Sequence, residues 1–222
     1  MAIHVQRQIG NLKQKILFVG TLVEEAIAKS ISALMNRDRN LARTVIDEDG
    51  EIDRMEVDVE EEVLKTLALY QPVAADLRFV VAVLKINNDL ERMGDLAKNI
   101  AKRVMFLTQC ERVDLPVEFR TMSTKTQAMV KQSLDALVNS DTALARKVRE
   151  ADDEVDHLRS DIQKHIEQQI VQSPKHTECL MRLTSVSRHL ERLADMATNI
   201  AEDVIYMVEG EIVRHHRPTE AL

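Results

Sequence analysis

The chain has almost no aromatic residues: four Phe, two Tyr and no Trp among 222 positions. Sites that stack bases on aromatic platforms have almost nothing to work with. Basic excess is missing as well. The formal net charge is −7, and an acidic surface repels nucleic-acid backbones. No apolar run approaches the roughly 18 residues that mark a membrane span. The stretch FVVAVL at 79–84 is closed off by Arg78 and Lys85. The opening MAIHVQRQIGNLKQKI is amphipathic and charged rather than a secretory leader. The two cysteines, Cys110 and Cys179, form no metal-binding or redox motif. They read as buried or idle thiols of a reducing cytoplasm.

With five Gly and four Pro, turn punctuation is also scarce. What remains is helix-former usage, rich in Leu, Ala, Val, Ile and Met, with 30% charged residues. No alternating segment of useful length supports a strand.

The sequence also repeats itself. LERMGDLAKNIAKRV at 90–104 returns as LERLADMATNIAEDV at 190–204. LAR at 41–43 recurs at 144–146, and VIDEDGEID at 45–53 aligns with VREADDEVD at 148–156. The breaks match too, at YQP ending in Pro72 and QSP ending in Pro174. The chain therefore reads as two tandem halves of similar plan, about 1–110 and 111–222.

The hydrophobic period is near 3.6 and predicts three helices per half. The first runs over about 5–37, with Leu22, Ala26, Ile27, Ile31 and Leu34 as its stripe. The second covers about 39–69, capped by Asp38, with Leu41, Val45, Ile52, Met55, Val59, Val63 and Leu67 inward. Gln71-Pro72 ends it, and Pro72 is expected in the first turn of a third helix to about 108. In the second half, Pro116 opens a helix to about 139 and Asp141 starts one to about 172. Ser173-Pro174 opens the last, to about His215. Helices of some 30 residues rise roughly 45 Å and need packing along their length. Short connections imply antiparallel neighbours. The expected fold is all-α: two tandem, pseudo-two-fold related three-helix bundles.

The duplication carries polar residues with it. Glu91 and Asp95 match Glu191 and Asp195, and Asp49 and Asp53 match Asp152 and Asp156. At 100° per residue, Ile86, Leu90, Met93, Ala97, Ile100 and Val104 gather on one side of the third helix. Asn88, Glu91, Asp95 and Asn99 lie nearly opposite, so the carboxylates are expected on an outer face. If neighbouring helices bring Asp49/Asp53 beside Glu91/Asp95, the cluster needs compensating cations. Arg54, Arg92 and Lys98 are candidates, and hard oxygen ligands also suit Mg²⁺, Mn²⁺, Ca²⁺ or iron. A single such pair is usually just a solvated face. The rival reading of the four pairs is an acidic interaction surface retained twice by duplication.

Signals for catalysis are weaker. The Glu-x-x-His spacing expected of di-iron oxidases occurs once, Glu154 to His157, and His157 aligns with Arg54. No zinc-protease, P-loop or nucleophile signature is present. The histidines His157, His165, His176, His189, His215 and His216 do not repeat and are expected at the surface, the last two in a frayed tail. Met35, Met55, Met93, Met105, Met129 and Met207 read as core filler.

At DLERMGDLAKNI and HLERLADMATNI the chain resembles the PhoU family, accessory and regulatory proteins of the bacterial phosphate-specific transport system. NRDRNLARTVIDEDGEIDRMEVDVEE, YQPVAADLR and SDTALARKVREADDEVD extend the resemblance over essentially the whole length. It implies two three-helix bundles with a Glu/Asp-x-x-x-Asp motif twice per half, some members holding multinuclear metal clusters there. The motifs fall on Asp49/Asp53, Glu91/Asp95, Asp152/Asp156 and Glu191/Asp195. The expected cofactors are divalent or ferric ions (iron, manganese, magnesium or zinc) at these clusters. Gly94 becomes Ala194, and IDRMEVD differs from VDHLRSD, which implies a second site of different affinity or nuclearity. The resemblance further implies a cytoplasmic, often dimeric, non-enzymatic regulator that dampens phosphate uptake and starvation signalling. Its implied partners are the transporter's ATP-binding subunit and a sensor histidine kinase. The alternative is a carboxylate-bound metal enzyme, a hydrolase or iron oxidase.

Overall fold

The computed structural model describes residues 2–213, which form six long α-helices and one short 3₁₀ turn. They are α1 (Ala2–Asn36), α2 (Arg39–Tyr70), α3 (Ala74–Leu107), α4 (Val117–Asn139), α5 (Thr142–Gln172) and α6 (Thr177–Glu209). No strand occurs among the described residues. No helix is long and apolar enough to cross a membrane among the described residues.

Local chemistry explains the boundaries. The Asp38 carboxylate accepts from the amides of Asn40 and Leu41, and Asp141 accepts from the amide of Leu144. These caps satisfy donors that an N-terminal turn leaves open. Pro72 departs from expectation. It lies in the 71–73 break, with Gln71 left-handed at φ 45° and Val73 as the cap of α3. Pro174 likewise opens the 3₁₀ turn Pro174–His176, and α6 starts only at Thr177. The last helix ends at Glu209 rather than near His215. Gly210 takes φ 78°, where a left-handed cap favours glycine. His215 and His216 lie outside the described residues.

Helices α1–α3 pack on one another, as do α4–α6, and the two bundles meet side by side through α3 against α6 and α1 against α4. The predicted inward stripe of α3, from Ile86 to Val104, is buried, and so is that of α6, from Val186 to Val204. Both feed one continuous apolar core. Across the central seam α3 and α6 run antiparallel: Lys85 meets Asp203, Arg103 meets Ser185, and Phe106 meets Arg182.

One repeat difference is a packing exchange. A Cβ on Gly94 would meet Ile52 of α2 at 3.1 Å. The second copy places Ala194 and Val155 at these positions, so a methyl group lost from one helix is gained on the other.

The cysteines also meet, although nothing in their spacing says so. Cys110 follows α3 and donates its thiol to the Phe106 carbonyl at 3.7 Å, and Cys179 lies in the first turn of α6, near enough for Cys110 to act on its thiol. Beside them, Glu111 holds Lys175 at 3.1 Å and His176 at 3.0 Å. Burial, then Cys110, pushes the Cys179 thiol up to about 11.

Candidate functional site

Helices α2 and α3 bring the first four carboxylates together, and α5 and α6 bring the second four. The motif positions are equivalent, but the charges around them are not.

In the first half, Asp95 of α3 is exposed as the wheel predicts, whereas Asp49 of α2 is buried, with 6% of its surface exposed. The cause is Lys98, whose ammonium binds the Asp49 carboxylate directly and reaches Asp95 at 3.8 Å. This contact raises the Lys98 pKa above its ordinary value, partly offset by burial. Lys98 thus supplies the cation that the sequence pattern asked for. Arg54 forms no ion pair among the described residues, and Arg92 only partly offsets the charge around Glu91. The other end of the cluster is uncompensated. Burial, then Asp95, Asp53 and Glu56, raise the Glu91 pKa. Burial, Glu60 and Asp53 do the same to Glu56.

The second half reverses this. Thr198 replaces Lys98, so Asp152 has no ammonium to receive it. Burial, then Asp195 and Asp156, push the Asp152 carboxyl up to about 6, and Thr198 opposes this only in part. Asp152 Oδ1 and Thr198 Oγ1 are both buried, and although Thr198 lies near enough to act on Asp152, neither atom completes a well-formed hydrogen bond. Burial, Glu191 and Asp156 raise Asp195 in the same direction. Here it is Glu191 that is paired, with Arg159 at 3.3 Å, and Arg159 occupies the position of Glu56 in the first half.

Each half therefore carries one built-in cation, at opposite ends of its carboxylate set. The first leaves Asp53 and Glu91 exposed to mutual repulsion beside Glu56. The second leaves Asp152, Asp156 and Asp195. No three His, Cys, Asp or Glu side chains stand close enough to hold an ion as placed, among the described residues. Lys98 was among the candidate cations, but its replacement by Thr198 and the exchange of Glu56 for Arg159 escaped the motif-based reading. The signal was present, because these are places where the aligned halves change charge.

The unpaired end of the second set opens into a groove of about 760 Å³ between α3, α5 and α6. Lys85, Asp89, Asp152, Asp195, Glu202 and Asp203 line it. Lys85 pairs with Asp203 at 3.2 Å, and Arg149 with Glu202 at 3.2 Å. Of the unrepeated histidines, His189 is not a surface residue. It is half-buried, and burial, then the charges of Arg103 and Arg192, push its pKa down to about 4.

The PhoU domain model matches this chain twice, over residues 16–104 and 119–204. A phosphate-specific transport system accessory protein PhoU homolog from Aquifex aeolicus is 40% identical, over 96% of this chain and 97% of its own length. One from Pseudomonas aeruginosa is 35% identical over 96% and 90%. The crystal structure of PhoU from Pseudomonas aeruginosa superposes with a TM-score of 0.90 at 33% identity, covering 93% of this chain and 99% of that one. The phosphate transport system regulatory protein PhoU from Streptococcus pneumoniae superposes with a TM-score of 0.86 at 28% identity, covering 94% and 99%. With both halves matched in one continuous alignment and one fold, the chain belongs to the PhoU family.

Proposed function

We propose that this protein is a non-enzymatic regulator of phosphate uptake and phosphate-starvation signalling. In this reading it acts as an adaptor, restraining the transporter through its ATP-binding subunit and the signal through a sensor histidine kinase, in the cytoplasm and as a homodimer. The observation that supports this most is the two-fold match to a family whose members are named as accessory and regulatory proteins of phosphate transport. An adaptor needs an ordered, charged surface that a partner can read. Long helices with a fixed pattern of paired and unpaired charges provide one.

Metal ions enter the same proposal through the unpaired carboxylates. Asp152, Asp156 and Asp195 are not close enough to share an ion as placed, but a hard cation drawing them together would relieve their mutual repulsion and give the buried Asp152 Oδ1 a partner. A divalent or ferric ion bound there would supply the charge that Lys98 supplies in the first half. Water would complete its oxygen shell. In the first half only Asp53 and Glu91, with Glu56, remain for an ion, since Asp49 and Asp95 are engaged by Lys98.

Gene deletion followed by measurement of uptake and starvation-gene expression in high phosphate tests the regulatory reading. Both should stay active. Normal control of both in the deletion strain, together with turnover of a phosphate ester or oxidation of iron by the pure metal-loaded protein, would establish the enzyme alternative instead.

A further inference from the structure

The acidic groove has a counterpart at the other end of the α3–α6 seam, and its charge is inverted. Adding or subtracting 100 carries Asp203 to Arg103, Glu202 to Lys102, Asp89 to His189 and Asn88 to Arg188. The Lys85–Asp203 pair of one end becomes the Arg103–Ser185 pair of the other. There, Arg103 Nε donates to Ser185 Oγ at 3.2 Å, and Ser185 Oγ lies 3.4 Å from His189 Nε2. His189 Nδ1 is buried and has no hydrogen-bond partner. The charges of Arg103 and Arg192 both reach His189. Lys102, Arg103, Arg188 and Arg192 ion-pair with no carboxylate among the described residues. A chain of net charge −7 would readily pair four such cations if their only task were stability.

We propose that this end of the seam binds a small tetrahedral oxyanion, of which inorganic phosphate is the type, through Arg103, Arg192, Ser185 and His189. The chemistry follows from the donors. Arg103 spends one N–H on Ser185, which leaves the rest of its planar fork for a bidentate contact. Arg192 brings a second guanidinium from the opposite helix. A hydroxyl and an imidazole fill the directions between them. A dianion with four oxygens can meet this set from several sides, whereas chloride cannot. Because α3 and α6 belong to different halves, bound oxyanion would tie the two bundles across their interface. The proposal concerns binding by the purified chain and does not depend on the regulatory reading.

The test is calorimetric titration of the full chain with sodium phosphate and sodium sulfate, against sodium chloride at matched ionic strength. Phosphate and sulfate should bind and chloride should not. R103Q/R192Q should weaken binding about tenfold or more, the loss of at least one charge-assisted hydrogen bond. R7Q/K131Q removes the same charge from exposed sites elsewhere and should leave binding unchanged. R192E alters one exposed side chain, so it keeps the test decisive if loss of Arg103 perturbs the fold. Phosphoserine separates a free ion from a phosphorylated partner, and it should bind more weakly at a half-buried site. No binding beyond the chloride control, equal losses in both double variants, or tighter binding of phosphoserine than of free phosphate would each overturn the assignment.

Discussion

Asp49 and Asp152 hold equivalent positions in the two halves, yet their amide substitutions should change stability in opposite directions. Asp152 is raised from 3.8 to about 6, chiefly by burial and then by Asp195 and Asp156. The folded chain therefore holds this proton more tightly than the unfolded chain. The resulting stabilisation is complete below the unfolded value and is lost as pH rises through about 6. The full shift corresponds to about 3 kcal/mol at 1.36 kcal/mol per unit, and solvent screening of a partly exposed group lowers this to about 1–2. D152N removes the charge, so at pH 7.5 it should stabilise by that amount, or roughly 3–6 °C in Tm for a chain of this length. The gain should shrink as pH falls through about 6 toward 4, because the folded Asp152 takes up its proton there and no longer carries the buried charge. D49N does the reverse. It strands the Lys98 ammonium, 26% exposed, beside a neutral amide. That should cost about 1–3 kcal/mol at the same pH. Urea denaturation of both variants from pH 4.5 to 8, with chelator present to exclude metal, measures the two effects. Equal signs at pH 7.5, or a D152N gain that persists undiminished at pH 4.5, would refute the reasoning.

Metal binding should follow the same asymmetry. D152N/D195N should lose manganese binding in the second half, measured by calorimetry, whereas K98T should strengthen binding in the first by vacating Asp49 and Asp95. G94A gains roughly 1 kcal/mol of helix propensity but presses a methyl on Ile52 at 3.1 Å, at about 1–3 kcal/mol for an unrelieved clash. I52V/G94A reproduces the second copy, so a double-mutant cycle in urea should show favourable coupling of about 1 kcal/mol. Diamide should join Cys110 to Cys179, seen as faster migration on a non-reducing gel that C179S abolishes. The high Cys179 pKa makes this oxidation faster at pH 9 than at pH 7.

Much of the architecture was legible because repetition and period reinforced each other. The buried stripes of α3 and α6 are the residues that the 3.6 period selected, and the caps Asp38 and Asp141 act locally. Boundaries at proline were less legible. A residue that tolerates the first helical turn also tolerates the break before it, and only tertiary packing decides between them. Residues that act across distant segments were not legible. The burial of Asp49 was not legible, because it depends on Lys98 arriving from another helix. His189 and the cysteine pair escaped for the same reason.

Duplication initially gives both copies the same carboxylates and the same repulsion. A cluster of four carboxylates is costly unless cations offset it. The two halves offset it at different ends, with Lys98 in one and Arg159 in the other. The same divergence continues across the seam, where Lys85 pairs with Asp203 at one end and Arg103 turns to Ser185 at the other. Charge changes between the halves are spread along the helices, as at Arg78 and Glu178, but some fall on residues that touch the motif carboxylates, while the apolar stripe beneath changes only among aliphatic residues. The repeat thus conserves a scaffold and differentiates its two polar faces. One gathers unpaired carboxylates and the other unpaired guanidinium groups, so a cation and an oxyanion would act on opposite ends of one pair of helices.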